Sequence, residues 1–454
     1  MTGFEIRGIV EGFYGRPWTH AQRLDMISFL AGLGMNTYVY SPKDDPGVRF
    51  TWRTPYTAAE RDRLRELISA AQRAGLRFVY ALSPGLTVRY GDPADEQAIL
   101  DRFTAVAEDG VADFGLFFDD IPADLQHDAD RERYPDLIAA QLDLIGRVAA
   151  RAPGSLVICP TTYFGYGDED HIRRLGRGLP AEVGLLWTGR QICSTTIDAD
   201  DARRFLAATG HRPVFWDNYP VNDVAMTAEL HIGPYRGRSA DLAEAAAGVI
   251  ANPMERPEAS KIALFTIARY LADPASYDPD ASWDAALEVL VPDRADRAAF
   301  RLFARTSLGS CLNPDDAPDF SAVLARALFL VSQGETDAAA DALSGLAGEY
   351  LAAAATLLDA PGFSAPALRD ETRPWIEAFR VGAGAIAEMA EHIRAGLDPA
   401  DPRLAALVRT RDALRAGGRR VFGDTLDMAI TDLQSGHYTR PDPHTSPDTR
   451  RSAS

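Results

Sequence analysis

The sequence predicts an α/β fold, namely a (β/α)8 TIM barrel, followed by an α-helical bundle. Over about the first 270 of the 454 residues, short β-branched or aromatic runs alternate with longer amphipathic segments. This alternation is typical of parallel strands connected by helices. Beyond it the chain is rich in alanine and helical in pattern, so a second structural unit is expected, as the length allows.

Eight strand-like runs occur in the first part of the chain, and eight strand–helix repeats predict a closed barrel. They are Glu5–Glu11, Asn36–Ser41, Leu76–Ser83, Asp113–Asp119, Ser155–Pro160, Val183–Trp187, Pro213–Asp217 and Gly248–Ala251. A typical intervening helix is Thr57–Ala74, with apolar residues at three- and four-residue spacing. Gly75 follows it, where a C-terminal glycine is expected.

The chain is expected to divide into four parts. Residues 1–272 form the barrel, 273–283 a linker, 284–425 an α-helical domain, and 426–454 a partly disordered C-terminal tail. The helical domain is predicted from strong helix formers in Leu351–Leu358 and from an apolar face between Trp375 and Ile393. The tail is polar and punctuated by proline, a composition that favours disorder.

The composition is that of an ordinary soluble protein, with 46% hydrophobic residues and a formal net charge of −18. Such acidity argues against nucleic acid or an anionic membrane surface as a partner, because both require clustered Lys and Arg. The three cysteines lack disulfide or zinc spacing, which favours a reducing cytoplasm. No export signal, membrane span or nucleotide-binding motif is recognised, and no cofactor or metal is expected. Oligomeric state is left open.

The predicted strand ends are rich in polar and aromatic residues, and barrel active sites gather at the C-terminal ends of strands. These ends are GFYGRPW, SPKDD, SPG, DDI, CPTTY, WTG, WDN and ANP. Ordinary turn formation explains their Pro, Gly, Asn and Asp residues. It explains Lys43, Tyr163, Trp187 and Trp216 less readily.

Asp119 and Asp120 follow the run Phe114–Phe118, and Ile121-Pro122 ends the strand directly afterwards. Two neighbouring carboxylates repel, which favours one of them remaining protonated as a general acid, as glycosidic cleavage requires. Taken alone, the pair is equally compatible with one aspartate accepting loop hydrogen bonds and the other being solvated.

Other strand ends offer groups that could hold a sugar. The segment GIVEGFYGRPW, residues 8–18, combines glycines and aromatic rings, although a turn with core packing would explain it. Lys43 could donate to hydroxyls or be a surface lysine. Trp216 and Asn218, with Asp223 nearby, provide an aromatic wall beside polar groups. Asn252 could bind a sugar or merely end its strand.

In order and spacing, GIVEGFYGRPW, YSPKDDP, FFDDI, CPTTY, LLWTG, FWDNYPVND, GPYRGRS and VIANP resemble the catalytic domain of the O-GlcNAcases, glycoside hydrolase family 84. The likeness covers residues 5–272. It implies a retaining exo-β-N-acetylglucosaminidase that cleaves terminal β-linked N-acetylglucosamine through an oxazoline formed by the substrate's own acetamido group. The partner would then be an N-acetylglucosamine-containing glycoconjugate.

The same resemblance implies roles for individual residues. Asp119 would orient and polarise the acetamido N–H, while Asp120 would protonate the leaving oxygen and later deprotonate water. Tyr163 would hydrogen-bond the acetamido oxygen. The methyl pocket would be lined by Tyr14, Cys159, Thr188 and Trp216, and the sugar held by Gly12, Lys43, Asn218, Asp223 and Asn252.

Two alternatives are weighed against this hypothesis. An endo-acting hyaluronidase-like hydrolase would have to bind a polyanion, for which the acidic chain is poorly suited. A non-catalytic N-acetylglucosamine-binding barrel would not need an acid/base pair, yet both aspartates are present. The aglycon, whether a protein side chain, a cell-wall fragment or an oligosaccharide, is not determined by the sequence.

Overall fold

Eight parallel strands close into a barrel in the computed structural model, which describes residues 3–43 and 45–435. They are β1 Ile6–Glu11, β2 Thr37–Tyr40, β3 Arg77–Leu82, β4 Asp113–Phe117, β5 Ser155–Cys159, β6 Gly184–Trp187, β7 Pro213–Asp217 and β8 Gly248–Ala251. Each strand pairs with the next along the chain, and β8 pairs with β1 to close the barrel. The predicted TIM barrel and all eight of its strands are confirmed.

Helices follow the strands around the barrel. They are α1 His20–Gly32, α2 Pro46–Arg49, α3 Ala58–Arg73, α4 Pro93–Ala107, α5 Asp128–Arg133, α6 Leu137–Ala149, α7 Asp170–Gly178, α8 Ala199–Thr209 and α9 Pro257–Ala272. Helix α3 begins at a capping box formed by Thr57 and Glu60 and buries the four apolar residues that indicated it. Gly75 follows α3 with a φ of 76°, a left-handed conformation that glycine adopts without a Cβ clash.

The barrel interior is filled by side chains from all eight strands, so it is a packed core and not a channel. The buried cluster comprises Val10, Val39, Val79, Ala81, Phe117, Cys159, Leu186, Val214, Trp216 and Ile250. Cys159 and Trp216 belong to this cluster and also lie near the C-terminal ends of their strands. The floor of the strand-end face is therefore rigid and largely apolar.

The rest of the described chain is helical. It contains α10 Pro279–Leu290, α11 Arg294–Ala304, α12 Pro318–Ser332, α13 Thr336–Asp359, α14 Pro366–Arg394, α15 Pro402–Gly417 and α16 Gly423–Ser435. Helix α14 buries Trp375, Phe379, Ile386, Met389 and Ile393, the apolar face that predicted it. Stacked and edge-on rings of Phe303, Tyr350, Phe379 and Phe422 lie at the centre of this helical region.

The described residues form two compact units. One holds the residues up to Ala225 and Pro234–Ala286, and the other holds Met226–Gly233 and the residues from Leu287 onward. Met226–Gly233 was expected to belong to the barrel, but this segment belongs with the helices. The carbonyl of Ala228 accepts hydrogen bonds from the indole of Trp375 and from the backbone N–H of Arg420, which explains the difference.

Two element boundaries also differ from the expected ones. Helix α10 begins at Pro279, inside the segment expected to be a linker, because Asp278 caps it by accepting from the N–H of Ala281. Helix α16 runs to Ser435, inside the segment expected to be a tail, and buries Leu426, Ile430 and Leu433. The rest of the expected tail, residues 436–454, lies outside the described residues. None of the helices described is long and apolar enough to cross a membrane.

Candidate active site

Every residue singled out from the sequence lies at or just beyond the C-terminal end of a barrel strand. Gly12 and Tyr14 follow β1, Lys43 follows β2, Asp119 and Asp120 follow β4, Cys159 ends β5 and Tyr163 follows it, Thr188 follows β6, Trp216 lies in β7, Asn218 and Asp223 follow β7, and Asn252 follows β8. Because all strands are parallel, these ends share one face of the barrel. Hydrogen bonds and ring contacts connect most of these residues.

Asp120 accepts hydrogen bonds from two phenols. The hydroxyl of Tyr14 lies 2.7 Å from Oδ2, and that of Tyr163 lies 2.8 Å from Oδ1. Asp120 has a φ of 55°, in the left-handed region that aspartate tolerates better than most residues. This bend after β4 turns two consecutive side chains toward the same face, which a regular strand would not allow. The carboxyl group remains exposed to solvent.

Asp119 is buried and forms an ion pair with Lys43, whose side chain is buried as well. The ammonium group of Lys43 approaches Oδ2 of Asp119 and lies 5.7 Å and 5.6 Å from the ring centres of Tyr14 and Trp216. Oδ1 of Asp119 is also buried, but it has no hydrogen-bond partner among the described residues. A buried acceptor without a donor is costly, so this oxygen is available to a ligand N–H or O–H.

The polar groups beyond β1, β7 and β8 form a second connected set. Oδ1 of Asn218 accepts from the indole N–H of Trp216 at 2.9 Å and from the amide of Asn252 at 3.0 Å. The N–H of Gly12 lies 3.3 Å from Oδ1 of Asn252. A Cβ at Gly12 would lie 2.4 Å from the Trp216 ring, so a side chain there would displace the indole. Asp223 accepts from the N–H of Tyr14 at 2.7 Å.

Cys159 and Thr188, the remaining two predicted residues, lie in different surroundings. Cys159 lies in the buried cluster with Trp216, on the apolar floor of the strand-end face. The hydroxyl of Thr188 lies 2.8 Å from the carbonyl oxygen of Gln191 and 3.2 Å from that of Tyr163. The backbone N–H of Thr188 also donates to the carbonyl of Tyr163 at 2.8 Å. Thr188 thus ties the loop after β6 to the loop that carries Tyr163.

Burial sets the protonation of several groups in the site. Burial, together with the nearby charge of Asp120, raises the pKa of Tyr14 and of Tyr163 well above the ordinary value of a phenol, so both remain hydrogen-bond donors at neutral pH. Burial also raises the pKa of the Cys159 thiol, which stays neutral. For Asp223, burial raises the pKa above the usual 3.8, against the lowering effect of the Tyr14 N–H.

A buried carboxylate supports this face in a way that the sequence did not predict. Asp217 ends β7 between Trp216 and Asn218, and its carboxylate receives two hydrogen bonds from Arg238, at 2.6 and 2.8 Å. The hydroxyl of Tyr235 donates to it at 2.5 Å. Arg238 lies in the GPYRGRS segment, which was noted without a role for any of its residues. Asp217 therefore anchors the end of β7 and does not face the site.

We expect Asp217→Ala to lower the free energy of unfolding by about 3–5 kcal/mol, because it leaves a buried guanidinium without its carboxylate. Both side chains of the pair are at most 2% exposed. Denaturant unfolding at neutral pH measures the loss. Asp128→Ala is the control, since its pairing with Arg131 is exposed and should contribute less than about 1 kcal/mol. Equal losses in the two variants would contradict the anchoring role of Asp217.

Arg49 was also missed. It ends the four-residue helix α2 and donates from Nη1 to the Tyr14 hydroxyl at 3.0 Å and from Nη2 to the carbonyl of Asp120 at 3.3 Å. Nothing in the local sequence pattern marks this residue, because both partners lie far away along the chain. Arg49 therefore contacts Asp120 itself and also Tyr14, one of the two phenols that donate to Asp120.

Known proteins with a similar sequence are described as β-N-acetylglucosaminidases and O-GlcNAcases. A family model described as beta-N-acetylglucosaminidase matches residues 7–305. The curated proteins named Protein O-GlcNAcase from Rattus norvegicus and Mus musculus are each 34% identical over 271 residues. These matches cover 58% of this chain and 29% of each relative, so the chain spans less than a third of their length.

Solved structures match over nearly the whole chain. A mutant of the O-GlcNAc hydrolase from Thermobaculum terrenum is 31% identical, with a TM-score of 0.87, and the match covers 95% of each chain. The structure of CpGH84B has a TM-score of 0.83 at 24% identity and covers 95% of this chain and 77% of that one. The second match supports the fold, and the first supports both fold and sequence similarity.

Proposed function

The chain belongs to the beta-N-acetylglucosaminidase family of glycoside hydrolases, and on that premise we propose that it is a retaining exo-β-N-acetylglucosaminidase acting by substrate-assisted catalysis. In this reaction the acetamido oxygen of the substrate attacks the anomeric carbon and forms an oxazoline, which water then opens. A well-oriented intramolecular attack can lower the barrier by about 7–11 kcal/mol, so the protein needs no nucleophile of its own.

The observation that carries the proposal is the contrast between the two adjacent aspartates. Asp119 is buried and paired with Lys43, yet its Oδ1 has no donor among the described residues. Asp120 is exposed and held by two phenols. A buried, charged acceptor suits an acetamido N–H that becomes more acidic as its oxygen attacks. An accessible carboxyl group suits proton exchange with the leaving oxygen and with water.

The surrounding residues fit the same reaction. Tyr163 can turn its hydroxyl from Asp120 to the acetamido oxygen, while Cys159 and Trp216 form an apolar wall for the acetamido methyl, beside Tyr14 and Thr188. The ring hydroxyls would be held by Gly12, Lys43, Asn218, Asp223 and Asn252. A few polar groups around an apolar floor are typical of a small-ligand site.

The direct test is turnover of an aryl β-N-acetylglucosaminide by the purified chain of 454 residues. We expect release of the aglycon, β-configured N-acetylglucosamine as the first product by NMR, and inhibition by thiazoline mimics of the oxazoline. Tight binding of a thiazoline without turnover would favour the non-catalytic sugar-binding barrel. An inverted product would exclude the oxazoline route.

Asp223 provides a test of sugar binding that depends on pH. Because the pKa of Asp223 is raised in the folded protein, Asp223 loses its charge at a higher pH than an exposed aspartate does. We expect KM to rise by about tenfold as Asp223 loses its charge, through loss of a charge-assisted hydrogen bond to a sugar hydroxyl. The measurement is KM against pH. The KM of Asp223→Asn should be raised at neutral pH and should not increase further as pH falls. If KM increased identically with falling pH in both proteins, Asp223 would have no part in sugar binding.

For the aglycon we propose an O-GlcNAc-modified protein in the cytoplasm. The names of the rodent relatives and of the Thermobaculum terrenum hydrolase support this choice, as do the few cysteines and the net charge of −18, which disfavours hyaluronan. Turnover of an O-GlcNAc peptide, chitobiose and hyaluronan oligomers by the same preparation distinguishes the candidates. Preferred cleavage of hyaluronan would support the endo-acting alternative.

A further inference from the structure

Arg49 is a buried cation directed at the acid/base residue. Arg49 is 6% exposed, and within the described residues it pairs with no carboxylate. A buried arginine is ordinarily paired with an acid, so its charge calls for another explanation. Its hydrogen-bond partners are the Tyr14 hydroxyl and the carbonyl of Asp120, and it lies 5.7 Å from the centre of the Tyr14 ring.

The short helix α2 holds Arg49 firmly in this place. Asp45 caps α2 by accepting from the N–H of Gly47 at 2.8 Å, and its other oxygen accepts from the hydroxyls of Tyr40 and Tyr56. At the other end of α2, the carbonyl of Val48 accepts from the N–H of Ser83, just beyond β3, at 2.9 Å. Arg49 is thus presented by a turn that is attached to two barrel strands.

The hydrogen atoms available to these groups fix the direction of each bond. A guanidinium only donates, so the Tyr14 oxygen accepts from Arg49 and its one hydrogen is directed to Oδ2 of Asp120. Tyr163 has no comparable constraint, because its hydroxyl contacts Oδ1 of Asp120 and no other partner in the described part of the chain. The two oxygens of Asp120 are therefore not equivalent.

We propose that Arg49 is a positioning residue that, through Tyr14, keeps Oδ2 of Asp120 as an acceptor and so places the transferred proton on Oδ1. This inference rests on the proposed function. When Tyr163 turns to the substrate, Oδ1 is released. Its O–H bond breaks as the proton passes to the glycosidic oxygen, which keeps the electrons of the cleaved C–O bond. The contact from Arg49 to the Asp120 carbonyl holds the backbone in the bent conformation that this transfer requires.

The first test is Arg49→Met, which removes the donors and keeps most of the aliphatic stem. We expect kcat/KM to fall by about 10- to 100-fold for a methoxyphenyl glycoside, whose leaving group needs a proton, and by less than about threefold for a dinitrophenyl glycoside. Thiazoline affinity should be nearly unchanged, which shows that the pocket is folded. Equal losses on both glycosides, or no loss on either, would overturn the inference.

The second test asks whether Arg49 acts through Tyr14. In a Tyr14→Phe background, Arg49→Met should cause less than about threefold further loss on the methoxyphenyl glycoside, because the shared hydroxyl is already gone. Losses that multiply independently would overturn the coupling. Arg61→Met is a matched control, since Arg61 lies on α3 and pairs with Asp109 and Glu108 away from the strand-end face. It should leave the ratio of the two rates unchanged.

Asp120→Asn separates failure of this inference from failure of the proposed function. If Asp120→Asn shows no dependence on the leaving group, Asp120 is not the acid and the proposed function needs revision. If Asp120→Asn shows that dependence and Arg49→Met does not, only the role of Arg49 is rejected.

Discussion

Asp120→Asn is expected to lower kcat/KM by about 10²- to 10⁴-fold on a methoxyphenyl β-N-acetylglucosaminide, while a dinitrophenyl glycoside loses far less. The poor leaving group needs a proton in the transition state, and the acidic phenol does not. Asparagine retains the size of the side chain and tolerates the φ of 55° that the position imposes. The loss therefore reports the missing proton and not a distorted loop.

The measurement is kcat/KM for both glycosides, because this ratio reports the steps up to cleavage of the glycosidic bond. Thermal unfolding of both proteins provides the folding control. Equal losses on the two substrates would exclude Asp120 as the general acid, whatever the overall size of the effect.

Asp119→Asn is expected to lower kcat/KM on both glycosides alike, by at least about 10²- to 10³-fold, the loss typical of removing one preorganised electrostatic contact. The neutral amide cannot match the charge developing on the acetamido group, and it leaves the buried ammonium of Lys43 without its partner. This second consequence also predicts lower stability, which thermal unfolding would detect.

Fluorination of the N-acetyl group isolates the chemical role of Asp119. Fluorine makes the acetamido oxygen less nucleophilic, so the wild-type rate should fall steeply with each added fluorine. A flat response would rule out participation of the acetamido group. A steep response would support the oxazoline route. If Asp119→Asn nevertheless kept full activity, Asp119 would have no role in the mechanism.

The barrel could be predicted from the sequence because its strands are short apolar runs buried on both faces, separated by helices with clear caps. The same regularity located the site, since in a parallel barrel every strand end reaches one face. Asp119 and Asp120 were recognisable because they lie just beyond the end of β4. Their different environments, one buried beside Lys43 and one exposed between two phenols, could not be read from adjacent positions in the chain.

The features that escaped prediction depend on contacts between distant residues. Arg49 ends a helix of one turn, too short for a periodic pattern, and one of its partners is a backbone carbonyl 71 positions away. Asp217 belongs to the strand end WDN, but only its ion pair with Arg238 shows that its carboxylate faces away from the site. Met226–Gly233 joins the helical unit through Trp375 and Arg420, which no local composition indicates.

The bent backbone at Asp120 restricts which residue types this position can accept over evolutionary time. A left-handed φ costs most residues about 1–2 kcal/mol and is tolerated chiefly by glycine, asparagine and aspartate. The proposed reaction requires an acid here, so aspartate alone satisfies both conditions, and glutamate would strain the turn. Descendants that lose the activity while keeping the fold should therefore carry asparagine or glycine at this position, and sequences with either residue are expected to lack general acid catalysis.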